Sequence, residues 1–188
     1  MSMSNLTDDL KNALSSVVSS AGDVVSTTRD VAKDTVVKTV QAGGEVATTS
    51  IDTAGKVVLE GITAASETGA SVTQAATGFV AGAIEGVKVA GGDTVAATGE
   101  VSKEAIKTAV SVGGDVGEVA VSTVEGAIEA AGKIGEDSGN LAKQATMGTL
   151  QAADEIGSEI GSLVRKALLN AATLPHDIID ALLTGETD

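Results

Sequence analysis

The charges of this chain are segregated at an interval of eleven residues. Every eleventh residue from Leu10 to Val164 is uncharged, and ten of these fifteen positions are Ala. Five other columns of the same spacing behave alike: of the 32 charged residues between Leu10 and Thr173, only Arg29 falls in the six uncharged columns. Since eleven residues make close to three helical turns, the pattern predicts α-helix with one broad apolar face.

The eleven-residue spacing continues without a shift along the chain, which predicts one very long helix. The expected fold is all-α, with a hendecad helix over residues 6–173 that forms a parallel, right-handed coiled coil. Residues 1–5 are expected to be an N-terminal tail. A short amphipathic helix is expected over 174–184, around the only proline, Pro175, followed by an acidic tail over 185–188.

The 23 glycines leave alternatives open, because each weakens a helix interior by about 1 kcal/mol relative to Ala. Such a helix needs a partner surface to persist in water. Hinges at Gly43-Gly44, Gly91-Gly92 and Gly113-Gly114 would instead give an antiparallel hairpin bundle, and a β-solenoid is a further alternative. The unbroken phase favours the single helix, since every hairpin loop would have to preserve it.

The apolar columns are expected to form an interface between identical chains. The face is wider than a dimer seam, so it predicts three or more chains, with four or more favoured. The expected interface residues are Ala21, Ala32, Ala54, Ala65, Ala76, Ala109, Ala120, Ala131, Ala142, Ala153, Val36, Val58, Val80, Val124, Ile51, Ile62, Ile84, Ile106 and Ile128.

Charges beside the apolar face indicate a parallel arrangement. One flank is basic and the other is acidic, so neighbouring parallel helices would bring opposite charges together. The basic flank holds Lys11, Lys33, Lys88, Lys143 and Arg165, with one acid, Asp154, and the acidic flank holds Glu60, Asp93, Glu104, Asp115, Asp137 and Glu159, with one base, Lys38. Arg29, inside the apolar face, is expected to extend outward to water, and a polar layer that fixes the register of the helices is the alternative. The spacing of Gly78, Gly82 and Gly86 allows a local close contact between helices.

Composition excludes several classes of function. There is no Cys and a single His, His176, and the acidic residues do not converge, so we expect no enzyme, no metal site and no cofactor. A net charge of -14 argues against nucleic acid as a partner. The N-terminus lacks the pattern of a signal peptide, which makes the cytoplasm the default location. The uncharged stretch 68–84 is too short, at about 25 Å, to cross a bilayer alone.

The chain resembles the eleven-residue-repeat amphipathic proteins, which include synucleins, late-embryogenesis-abundant proteins, perilipins and some phasins. Residues 75–80, Ala-Ala-Thr-Gly-Phe-Val, are similar to part of the apolar segment of synuclein, and residues 123–127 have the same character. The resemblance implies a chain that is disordered alone and helical on membranes, lipid droplets or storage granules.

The function expected from the sequence is structural. The favoured interpretation is a homo-oligomeric coiled-coil rod, spacer or filament subunit. An amphipathic helix that coats or inserts into a membrane, lipid droplet or granule surface is the alternative, together with a disordered stress or hydration protein.

Overall fold

A computed structural model describes residues 3–20, 23–43 and 46–184 of the chain, and within these ranges the fold is all-α. The nine helices of the described part are α1 (Met3–Ser20), α2 (Val24–Gly43), α3 (Val46–Thr68), α4 (Val72–Val89), α5 (Thr94–Ser111), α6 (Val116–Ile134), α7 (Ser138–Ile156), α8 (Ser158–Asn170) and α9 (His176–Thr184). The predicted acidic tail over 185–188 lies outside these ranges.

The prediction of one very long helix, and of a coiled coil built from it, is wrong. The chain instead folds back at short turns, and the successive helices pack against one another. This is the hairpin alternative. Gly91-Gly92 and Gly113-Gly114 lie in turns, and Gly43 ends α2, whereas Gly44 is outside the described ranges.

Four of the turns share one glycine-based design at a spacing of 22 residues. The glycine that follows each helix has a positive φ of 71–83°, a conformation that residues with a Cβ rarely adopt. The next residue donates its backbone N–H to a carbonyl five residues back, at 2.8–3.0 Å, which is the closing bond of a Schellman motif. The glycines are Gly69, Gly91, Gly113 and Gly135, and the accepting residues are Ala65, Val87, Ala109 and Ala131.

Two residues after each of these glycines, a polar side chain starts the next helix. Asp93, Asp115 and Asp137 each accept a hydrogen bond from a backbone N–H of the first helical turn, at 2.9–3.1 Å, and Ser71 does so at 3.3 Å. These caps satisfy N–H groups that have no partner inside the helix. A hairpin unit of 22 residues is two eleven-residue repeats, so these turns leave the hendecad phase unchanged.

The described helices form two layers. Each helix contacts its first and second neighbours in the chain, so α2, α4, α6 and α8 form one layer and α1, α3, α5, α7 and α9 form the other. Helices that lie side by side within a layer run parallel. Along α4, for example, Gly78, Gly82 and Gly86 lie in turn against Thr28, Arg29 and Val36 of α2, so residue numbers rise in the same direction in both helices. Such nearest-neighbour stacking is typical of helical repeat proteins.

Glycines allow the helices of one layer to approach closely. Gly78, Gly82 and Gly86 of α4 face α2, where an added Cβ would overlap Thr28, the carbonyl of Arg29 and Val36 respectively. Gly126 of α6 faces α4 and Gly148 of α7 faces α5 in the same way. The core therefore consists mainly of Ala, Gly and Val, and its contacts rely on backbone proximity rather than on large side chains.

The turn glycines provide a test of the hairpin fold. Replacing Gly113 with alanine is expected to lower the free energy of unfolding by about 1 kcal/mol, because Ala is strained at a φ of 71°. Gly99, inside α5, is the matched control: no atom lies within 4 Å of an added Cβ. Gly99→Ala is therefore expected to stabilise by about 0.5–1 kcal/mol. Urea unfolding measures both, and stabilisation by Gly113→Ala would contradict the turn.

Candidate functional site

The residues predicted to join identical chains lie in the core of one chain. Eighteen of the nineteen are described, and they are buried or half-buried against other helices of the same molecule, Ile51 and Ile128 being half-buried; Ala21 lies outside the described ranges. Their apolar surface is therefore already covered by the layers around them. An interface between chains built from these residues stays a prediction.

The charged flanks have different structural roles from the predicted one. Three members of the acidic flank, Asp93, Asp115 and Asp137, are helix N-caps. Three members of the basic flank form ion pairs within one chain: Lys11–Glu67 at 2.5 Å, Lys33–Glu85 at 3.7 Å, and Lys88 with Glu136 of the turn after α6 at 2.8 Å. The Lys11–Glu67 and Lys88–Glu136 pairs are largely open to solvent, which screens their charges, so they contribute little to stability.

The densest group of charges joins three helices of one layer. Arg29 of α2 binds Glu129 of α6 through Nη1 and Oε1 at 3.0 Å, and so crosses over α4. Glu85 of α4 lies beneath this bridge and is only 4% exposed. Its Oε2 is 3.7 Å from Nζ of Lys33, and its Oε1 is 4.0 Å from Nε of Arg29. We call Arg29, Lys33, Glu85 and Glu129 the α2–α4–α6 charge cluster.

The charge cluster is incompletely satisfied. The guanidinium of Arg29 donates to Glu129 and to Asp30, and Glu85 Oε1 accepts no hydrogen bond although it is buried. Burial raises the pKa of Glu85, whereas the positive charges of Lys33 and Arg29 act in the opposite direction. The hydrogen bond to Glu129 raises the pKa of Arg29.

Sequence reasoning missed Glu85 because its column belongs to the charged side of the repeat. A signal was nonetheless present, since Glu85 directly precedes Gly86 in the series Gly78, Gly82 and Gly86. Glycines at that spacing indicate close approach of a neighbouring helix, which buries the residues beside them. Arg29, the one charge inside the apolar face, belongs to a polar layer rather than extending freely into water.

Two adjoining open grooves, of about 490 and 460 Å³, lie beside this cluster and share Thr73, Ser122 and Glu125. The first lies between α6 and α8, and the second reaches Val25 of α2 and Glu129. Their linings combine hydroxyl groups, amides and carboxylates. Among the lining residues there is no His, Cys, Lys or Arg, so the grooves do not bring a nucleophile together with a basic side chain.

Other candidate chemistry is sparse in the part of the chain that the structure describes. His176 is exposed at the start of α9, and no group of three or more His, Asp or Glu residues with the geometry of a metal site occurs in this part. None of the helices in the described ranges is long and apolar enough to cross a membrane. The uncharged stretch 68–84 comprises the turn between α3 and α4 and most of α4, which is buried at the centre of the stack.

Comparison with known proteins finds no match: no protein-family model, no curated protein and no solved structure is similar to this chain. The resemblance to eleven-residue-repeat proteins therefore stays a prediction from the residues themselves.

Proposed function

We propose that this chain is a non-enzymatic structural protein that acts through its surface as a short helical-repeat array. The observation that carries the proposal is the stacking of each described helix on its first and second neighbours alone, which leaves the array open at both ends. Proteins of this architecture present extended surfaces to partners and grow by addition of units. The coiled-coil rod is not part of this proposal.

A second copy of the chain is the partner that we propose. Eight large apolar side chains of the described residues are exposed, and four of them, Met147, Ile156, Leu163 and Leu169, lie on α7 and α8. Since α7 and α8 pack against each other near the C-terminal end of the described array, exposed apolar side chains on these two helices favour association at that end. Contacts there would leave the core of each copy intact.

Light scattering over a range of concentrations tests this self-association. The native chain is expected to show a mass above that of one chain, 18.4 kDa, and a Met147→Ser, Leu169→Ser double variant is expected to return towards that value. Val18→Ser, which changes an exposed apolar residue on α1, is the matched control and is expected to leave the mass unchanged. A native chain that is monomeric at every concentration would contradict the proposal of self-association.

A lipid surface is a second candidate partner, and one specific observation favours it. The four turn glycines Gly69, Gly91, Gly113 and Gly135 occupy a single column of the hendecad repeat. If these turns became helical, the apolar face would continue across them and could lie on a lipid surface. With a net charge of -14, the chain would favour neutral lipid over anionic lipid.

Binding to phosphatidylcholine vesicles tests this second candidate. Because the core must open first, the destabilised variant Gly113→Ala is expected to bind faster than the native chain, and the stabilised variant Gly99→Ala is expected to bind more slowly. Vesicle flotation measures binding, and circular dichroism follows helix content. Failure of all three proteins to float with the vesicles would exclude this candidate.

A further inference from the structure

The α2–α4–α6 charge cluster has no part in the proposed function. We propose that Glu85, Arg29 and Glu129 form a proton-operated latch that holds α2 against α4 and α6. The latch closes when Glu85 takes up a proton from solvent, and it loosens when Glu85 is ionised.

The geometry identifies α2 as the helix that the latch controls. Both cations within 4.0 Å of Glu85, Arg29 and Lys33, belong to α2. On the other side, α6 contributes Glu129, which binds Arg29, and Lys133, whose positive charge also acts on Glu85. Asp30 of α2 accepts hydrogen bonds from Nε and Nη2 of Arg29. A change of charge at Glu85 therefore acts mainly on the contact between α2 and α4.

Ionised Glu85 lacks a donor that it needs. A buried carboxylate requires hydrogen bonds to offset its lost hydration. The nearest guanidinium donates instead to Glu129 and Asp30, and Lys33 Nζ stands at 3.7 Å from the other oxygen. Oε1 is buried beside the close contact of α2 and α4 at Gly82 and Gly86, so a water molecule can supply the missing donor if this packing opens. Ionisation therefore favours separation of this pair.

The direction of the pH effect follows from proton binding. Burial raises the pKa of Glu85 above its ordinary value of 4.5, so the closed form binds a proton that the open or unfolded form releases. The contribution of Glu85 to the stability of the closed form is therefore complete below pH 4.5 and falls as the pH rises through the raised pKa. Acidification restores this contribution. Carboxylates with a lowered pKa, such as Asp154 beside Arg165, act in the opposite direction.

Hydrogen exchange of the α2 amides in the full chain, corrected for the intrinsic exchange rate at each pH, tests the latch. Protection of α2 in the native protein is expected to fall several-fold as pH rises above 4.5. In Glu85→Gln, which keeps the shape and removes the charge, this fall is expected to disappear. Asp34→Asn is the matched control, an exposed carboxylate of α2, and it is expected to retain the native pH dependence.

A direct titration complements the exchange measurement. The carboxyl carbon resonance of Glu85, followed by NMR, is expected to show a midpoint above those of the exposed glutamates, and Arg29→Gln is expected to move it further upward. Either of two results would overturn the proposal: a Glu85 midpoint at or below those of exposed glutamates, or the same pH dependence of α2 protection in the native protein and in Glu85→Gln.

Discussion

Replacing Gly82 with alanine is expected to destabilise the fold by about 3 kcal/mol, whereas the same change at most helical glycines would be stabilising. A Cβ at this position would collide with the backbone carbonyl of Arg29 and with the side chain of Ala32. Backbone cannot move aside as a flexible side chain can, so α2 must shift away from α4. The loss is large compared with a total stability of about 5–15 kcal/mol.

The measurement is urea unfolding, with Gly99→Ala and Gly132→Ala as controls. Both control glycines lie inside helices where no atom is within 4 Å of an added Cβ. They are expected to stabilise by about 0.5–1 kcal/mol each, so the three substitutions separate by sign. If Gly82→Ala is as stabilising as the controls, the close contact between α2 and α4 is wrong.

Phe79→Ala is expected to be the most damaging truncation, with a loss of about 3–5 kcal/mol. Phe79 is the only Phe in a chain without Trp or Tyr, and it is 1% exposed. Its ring lies against Gly61 of α3. It also borders a gap, too small for water, that Leu10 and Leu14 of α1 and Thr28 of α2 help to line. Four helices therefore meet at this side chain, and small residues nearby cannot fill the cavity left by its loss.

Thermal unfolding followed by circular dichroism gives the size of this effect. Phe79→Leu is the conservative control and is expected to retain most of the stability, because it keeps much of the buried apolar volume. Hydrogen exchange of Phe79→Ala is expected to show loss of protection first in α1 and α2. A Phe79→Ala protein with native stability would contradict the central position of this ring.

The helical class and the composition of the core were predictable from the sequence. The positions Ala65, Val80 and Ile106 were predicted to be buried from the eleven-residue period, and each has no exposed surface. The period identifies a helical face without specifying which surface covers it. A second chain or a second helix of the same chain would cover this apolar face equally well. The sequence therefore predicted an interface between chains, whereas in the structure helices of one chain cover the face.

The turns were the main failure, and the reason is geometric. A hairpin unit of 22 residues contains a whole number of hendecads, so the phase passes through Gly91, Gly113 and Gly135 as if the helix continued. The local signal was nevertheless visible, since a glycine followed two residues later by aspartate is a helix end followed by a helix start. Asp93 and Asp115 were instead interpreted as part of a charged flank.

The α2–α4–α6 charge cluster could not be predicted from the eleven-residue period, because the period does not specify which helices pack together. Glu85 lies on the polar side of its own helix, where the sequence predicts exposure. It is buried because the glycines of α4 let α2 approach, and because Arg29 reaches Glu129 across α4. A burial that arises from the meeting of three helices requires knowledge of which helices are neighbours.

The distance between α2 and α6 tests the hairpin stack most directly. The chain has no cysteine, so spin labels on Asp34→Cys and Gly132→Cys report only these two exposed positions. Two helix spacings of about 8–10 Å separate α2 from α6, which predicts about 20 Å between the helix axes and a label distance of the same order. A continuous helix would place the two residues about 150 Å apart, and the loss of any measurable dipolar coupling would contradict the fold.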